Sequence, residues 1–167
     1  MDNTIIFGID PATVTGYAII ETQPFQRIVE TGTIEVNKKV CYGEGLTEYG
    51  KAIRLKFSLW KPTFVVCEDL NFSRNLRTVK ALSKLLGVIE MESWRYNQCE
   101  VSYFTATEAR KAIGLKGSVT KEEVASHIQK IFSDDVNVDW KDTNITDALA
   151  IALAMLNNAE GSYYIRR

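Results

Sequence analysis

Histidine is nearly missing from this chain: His127 is the only one in 167 residues. That excludes a histidine-rich metal centre and any triad built on several histidines, and a lone histidine on a helix-like stretch specifies no site by itself. Cysteine is scarce too. Cys41, Cys67 and Cys99 are odd in number, widely spaced and without a CxxC pair, which excludes a disulfide framework and a zinc site. Cys67 lies within the apolar run Phe64-Val65-Val66-Cys67 and is expected in the core. No apolar run approaches the ~20 residues needed to span a bilayer. Met1-Asp2-Asn3-Thr4 lacks the basic start of a signal peptide, so the expected location is the cytoplasm. A surplus of positive charge is absent as well, because 20 basic and 21 acidic side chains leave a formal net charge of −1. Strong duplex binders usually carry a basic surplus, so any nucleic-acid contact must come from a local patch. There is no repeat, low-complexity segment or linker.

What is present is the balance of one folded domain: 46% hydrophobic and 25% charged residues. Thr4 to Asp10 is an apolar run closing on a carboxylate and reads as a buried strand. Pro11, Thr15 and Gly16 mark a turn, and Tyr17 to Ile20 forms a hairpin partner. Val29 to Val36 is a third strand. Leu46, Tyr49, Ile53, Phe57 and Trp60 recur at helical spacing and predict an amphipathic helix over Gly43–Trp60. Phe64 to Glu68 is a fourth strand, again ending on an acid. A long helix follows over Asn75–Tyr96, with Leu76, Val79, Leu82, Leu86, Ile89 and Met91 as its apolar residues. Glu100 to Phe104 is a fifth strand. Two helices, Thr105–Ile113 and Thr120–Phe132, each open on a threonine with glutamate three residues on. An apolar helix over Thr146–Asn158 ends the pattern. A hairpin-rich start followed by alternation predicts an α/β fold with one mixed five-stranded sheet and helices packed on it.

Asp10 and Glu68 each close a buried strand, and strand ends at the lip of such a sheet are where sites form. Asp147 opens an otherwise apolar helix, where an ionised acid is costly unless paired. A divalent cation is one partner for the three. Oxygen donors without a histidine cluster favour Mg²⁺ or Mn²⁺. Turn formation by Asp10 and a helix-dipole role for Asp147 are the competing readings of these acids.

Gly8-Ile9-Asp10-Pro11 with Thr15-Gly16-Tyr17-Ala18, Glu68 after Val65-Val66-Cys67, and Asp147-Ala148-Leu149-Ala150-Ile151-Ala152 resemble, in order, the motifs of RuvC-type Holliday junction resolvases. Lys116-Gly117-Ser118-Val119-Thr120-Lys121 is similar to that family's glycine-containing loop. The resemblance implies an RNase H-like fold over residues 1–158, with 159–167 as a tail. It implies a homodimeric endonuclease in a prokaryotic or phage-infected cell, nicking paired strands of a four-way DNA junction by two-metal hydrolysis. Asp10 would bridge the ions, Glu68 and Asp147 would each hold one, and Lys121 would lie near the scissile phosphate. Arg110 stands where the family has another basic residue.

Two positions depart from the pattern. The family's fourth metal ligand falls on Asn144, whose amide oxygen carries no charge, with Asp142 nearby as a substitute. The aromatic wedge expected three residues after the second acid falls on Asn71, with Phe72 next. Arg74, Arg77, Lys80 and Lys84 form a basic stripe at the start of the long helix, and Lys116 extends the set of phosphate-binding candidates. A solvated helix face is the alternative for the stripe. Tyr163, Tyr164, Arg166 and Arg167 give a basic aromatic end. Asn144 and Asn71 leave two further functions open: a broader nuclease of forks and flaps, and a junction-binding protein that cuts weakly or not at all.

Overall fold

The computed structural model describes residues 3–35, 43–70, 75–132 and 138–161, with side chains to residue 158. Cys41, Asn71, Phe72, Arg74 and the aromatic pair Tyr163 and Tyr164 lie outside the described residues. The elements are β1 (Ile5–Asp10), β2 (Val14–Glu21), β3 (Arg27–Glu35), α1 (Gly43–Trp60), β4 (Phe64–Glu68), α2 (Leu76–Asn97), β5 (Val101–Phe104), α3 (Ala106–Ala112), α4 (Lys121–Ile131) and α5 (Thr143–Gly161). The strands form one sheet in the order β3-β2-β1-β4-β5. β1 pairs antiparallel with β2 and parallel with β4, so the sheet is mixed as expected.

Alternation along β1 sorts the two cores. Ile5, Phe7 and Ile9 face α1 and α2, beside Tyr49, Ile53, Phe57 and Ile89. Ile6 faces the other way, into a core built by α3, α4 and α5. Helices therefore cover both faces. The final helix is apolar nearly all round because it is buried from both sides, against the sheet below and α3 and α4 above. Among the described residues no helix is long and apolar enough to cross a membrane.

Local chemistry sets the ends. Thr105 and Thr120 each accept the backbone N–H of the glutamate three residues on, and each glutamate accepts the cap's own N–H in return. Gln98 stops α2 by turning left-handed at φ 51°, its N–H donating to Trp94 O at 2.8 Å.

Four expectations need correction. Thr15 and Gly16, expected in a turn, lie within β2, which starts at Val14. The last helix starts at Thr143, not Thr146, because Asp142 caps it: its Oδ1 accepts Asn144 N–H at 2.9 Å and its carbonyl accepts Thr146 N–H at 3.1 Å. That helix also continues through residue 158 to Gly161. Leu76 and Met91, counted on the apolar face of the long helix, are 72% and 42% exposed.

Gly8 is the seat of the final helix. A Cβ there would stand 2.5 Å from Ala148 O and 2.8 Å from Ala152 Cβ, neither of which has a rotamer to escape into. Gly8→Ala is expected to cost about 1–3 kcal/mol through overpacking, lowering the thermal midpoint by roughly 2–12 °C for a domain of this size. An unchanged melting curve would mean that α5 does not sit on β1 this closely.

Candidate active site

The same alternation that builds the cores aims the acids. Ile6, Gly8 and Asp10 share one face of β1; Phe64, Val66 and Glu68 share one face of β4; Ile6, Phe64 and Val66 lie in the core around α5. Parallel pairing matches Gly8 with Val66 and Ile9 with Cys67, so the two acids leave adjacent strand ends on the α5 side. Their carboxyls share a hydrogen bond. Asp147 comes from the opposite layer. Gly16 pairs with Asp10 across the hairpin, and a Cβ on it would lie 2.0 Å from Asn144 O. The bare glycine thus lets the first turn of α5 press against the strand beside Asp10. Asn144 is seated there, and Asp147 follows one helical turn later.

Electrostatics records the convergence. Burial first, then the charges of Glu68 and Asp147, push Asp10 from its ordinary 3.8 to about 8. Burial and the Asp147 charge raise Glu68 as well, against the hydrogen bond from Asp10 and the cations Lys121 and Arg110. Such concentrated negative charge within low-dielectric walls calls for a cation. Lys121 supplies one from the chain itself: its Nζ lies 2.5 Å from Asp147 Oδ2. The ion pair occupies the third carboxylate, and among the described residues no three acids, histidines or cysteines form a ready-made metal cage. The donors present, all carboxylate and amide oxygens, fit a hard divalent cation in kind. Admitting one to Asp147 requires Lys121 to let go.

Asp147 occupies the fifth position of α5, beyond the first turn where the helix dipole acts. Asp142 caps the helix through one carboxylate oxygen, Oδ1. Glu68, Arg110 and Asp147 line one narrow cleft with Ala109, Val124 and Ile151 as apolar walls. Arg110 also donates to Gly117 O at 3.2 Å, holding the loop between α3 and α4 that leads to Lys121. Lys116 is exposed on that loop. Arg77, Lys80 and Lys84 are exposed near the start of α2, some distance along the chain from the carboxylates. His127 takes no part: its Nε2 lies 2.9 Å from Ile113 O, a structural contact.

Tyr49 near the site carries no signal of chemistry in the sequence, and Thr15 is visible only as part of a motif. Thr15, fully buried, bonds both backbone groups of Ala12 in the turn after Asp10, and its hydroxyl lies 3.2 Å from that of Tyr49 on α1.

Comparison with known proteins places this geometry in company. A family model described as crossover junction endodeoxyribonuclease RuvC matches residues 6–155. The crossover junction endodeoxyribonuclease RuvC of Campylobacter concisus is 33% identical over 155 residues, covering 92% of this chain and 96% of the relative. That of Aliarcobacter butzleri is 32% identical over 150 residues, covering 89% and 95%. Among solved structures, Thermus thermophilus RuvC superposes with a TM-score of 0.79 at 19% identity, over 95% of this chain and 96% of that one. The same protein in complex with a Holliday junction substrate gives 0.78 at 18% identity, over 95% and 96%. A yeast mitochondrial Holliday junction resolvase gives 0.68 at 9% identity, over 92% and 78%. At these identities the structural likeness shows the fold, an RNase H-like mixed sheet.

Proposed function

This chain belongs to the RuvC family of crossover junction endodeoxyribonucleases, and on that premise we propose that it resolves four-way DNA junctions by symmetric phosphodiester hydrolysis, as a homodimer, at a site made of Asp10, Glu68 and Asp147. The observation that carries the site is the convergence of three acids at one buried strand end, where burial and then the charges of Glu68 and Asp147 lift Asp10 to about 8. The family's nucleases work with divalent metal. The all-oxygen donor set fits Mg²⁺ or Mn²⁺, two per site, which Asp10, Glu68 and Asp147 would hold with Asn144 as a neutral fourth donor. Bound there, the ions supply an activated water and a stabilised 3′ leaving oxygen.

The rest falls to the chain's own groups. Lys121, released from Asp147, meets the scissile phosphate and balances its developing charge. Arg110 holds the loop that presents Lys121 and Lys116 and lowers the Glu68 carboxyl by its charge. Arg77 and Lys80 provide a phosphate track. Phe72 is the candidate wedge at the crossover. Met91 and Trp94, 42% and 55% exposed on α2, are apolar surface for a second copy. Two sites related by a C2 axis match the symmetry of a four-way junction, which is how two strands are cut symmetrically. Residues 1–158 would form the nuclease domain, and nothing in this chemistry calls for a membrane.

Nicking of four-way, forked and linear DNA in Mg²⁺ and in Mn²⁺ tests the reading. Paired nicks in the four-way substrate are expected. Equal cutting of linear duplex overturns the resolvase reading in favour of a broader nuclease, and binding without nicking in both metals leaves a junction-binding protein.

Asn144 favours that last alternative, since it removes one charge from the ligand set. Asn144→Asp is expected to lower the metal concentration needed for half-maximal cleavage several-fold, and an unaltered metal dependence would remove position 144 from the site. Replacing Arg77 and Lys80 by Ala is expected to weaken junction binding and to reduce its salt slope by about 1 for each phosphate left without its cation. A slope equal to the wild type's would leave the stripe facing water.

A further inference from the structure

We propose that Tyr49 is a positioning residue for Asp10, acting through the hydroxyl of Thr15; the proposal rests on the reading of Asp10 as a cation ligand. Asp10 closes β1, and the chain re-enters the sheet at Val14. A ligand on such a lip is only as well placed as the turn that follows it. Here the turn is clamped from inside. Ala12 N–H donates to Thr15 Oγ1 at 3.3 Å, and Thr15 Oγ1 donates to Ala12 O at 2.9 Å. One hydroxyl thus serves both backbone groups of the residue two positions after Asp10.

The proton count assigns Tyr49 its part. A threonine hydroxyl has one proton and two lone pairs. The proton is committed to Ala12 O and one lone pair to Ala12 N–H. The Tyr49 hydroxyl, 3.2 Å away, is the third hydrogen-bond partner of that oxygen. Thr15 is 0% and Tyr49 2% exposed, so solvent does not compete for that contact. A rotor held by three partners in a buried setting is fixed, and the turn is fixed with it.

The anchor is itself rigid. Tyr49 lies on the buried face of α1, and the next residue, Gly50, lets that helix close on α2, since a Cβ there would stand 3.3 Å from both Glu92 Oε1 and Val88 Cγ1. Four residues on, Arg54 clasps Glu92 with two bonds of 2.8 and 2.7 Å. The hydroxyl reaching the turn after Asp10 is thus carried by a helix bolted to its neighbour.

The experiment is a calorimetric Mn²⁺ titration of the whole protein, read beside junction nicking and melting. Tyr49→Phe deletes one oxygen and keeps the ring in the core. It is expected to weaken Mn²⁺ binding about 3–10-fold, the range of one lost hydrogen bond, and to lower kcat without changing KM for the junction. Thr15→Ser, which keeps the hydroxyl, is expected to retain wild-type Mn²⁺ affinity. Ser93→Ala serves as the control, because it removes a buried hydroxyl and its bond to Cys99 O at 2.9 Å, near the far end of α2. It is expected to alter melting alone. If Tyr49→Phe binds Mn²⁺ as Ser93→Ala does, Tyr49 is core packing and the proposal is overturned. If Asp10→Asn leaves the wild-type titration unchanged, the cation-site reading falls first and this proposal with it.

Discussion

Asp10→Asn is expected to melt at a higher temperature than the wild type in EDTA while losing roughly 10⁴-fold or more in cleavage, the scale seen when one member of a catalytic unit is removed. The two effects share a cause. In the folded protein burial and the neighbouring acids push Asp10 from 3.8 to about 8. Below pH ~4 the carboxyl is protonated in folded and unfolded chains alike, and it contributes no pH dependence. Between ~4 and ~8 the unfolded chain ionises while the fold retains its proton, so stability declines as pH rises, and above ~8 the whole penalty is felt. Asparagine has no charge to lose. Its advantage is therefore expected to grow from about pH 5 to about pH 9, reaching about 1–3 kcal/mol once solvent screening at the lip of the sheet is allowed for. Mg²⁺ or Mn²⁺ is expected to reverse the order, raising the wild-type midpoint and leaving that of Asp10→Asn nearly unmoved. Melting curves at several pH values, with and without metal, check all of this. A variant less stable than the wild type in EDTA at the alkaline end would show that Asp10 does not bear the repulsion. Retained cleavage would remove it from the reaction.

Legibility in the sequence differs from residue to residue. Asp10 and Glu68 are visible as acids ending apolar runs, because the period of two and the terminal carboxylate are local features. Their adjacency is not. It depends on β4 pairing parallel with β1 rather than on an outer strand, and that is a contact between distant stretches of chain which no local pattern encodes. The helix start is hidden because Asp142 and Thr143 have the composition of a loop, whereas Asp142 caps and the chain is helical from Thr143. The difference matters. A start at Thr146 puts Asp147 at a helix N-terminus and keeps the dipole explanation alive. Leu76 and Met91 fit helical spacing yet face outward, since periodicity tells which residues share a stripe but not how wide the covered part of it is. Spacing assigns Tyr49 correctly to the buried face of its helix, but it says nothing about a hydroxyl reaching a turn 34 residues earlier.

Lys121 gives the second large effect, and its value lies in two measurements moving in opposite directions. Its Nζ is bonded to Asp147 at 2.5 Å. That hydrogen bond, ahead of the charges of Asp147, Asp10 and Glu68, raises its own pKa against the cost of partial burial. The lysine is thus a counter-charge of the three acids, and it sits on a carboxylate that a divalent cation would need. Lys121→Gln is expected to free Asp147 and remove a repelling positive charge, so that Mn²⁺ binds several-fold more tightly. Cleavage is nevertheless expected to fall about 10²–10³-fold, the loss typical of one group stabilising transition-state charge. A purely structural lysine would give no such pairing, because loosening the site would weaken metal binding and cleavage together. Weaker Mn²⁺ binding in Lys121→Gln would mean that the ion pair supports the ligand set and does not compete for it. Tighter binding with undiminished cleavage would leave Lys121 as a counter-ion that never meets the phosphate. Tighter binding with slow cleavage is the outcome expected of the proposed role, in which one amine would hold Asp147 until metal arrives and then turn to the DNA.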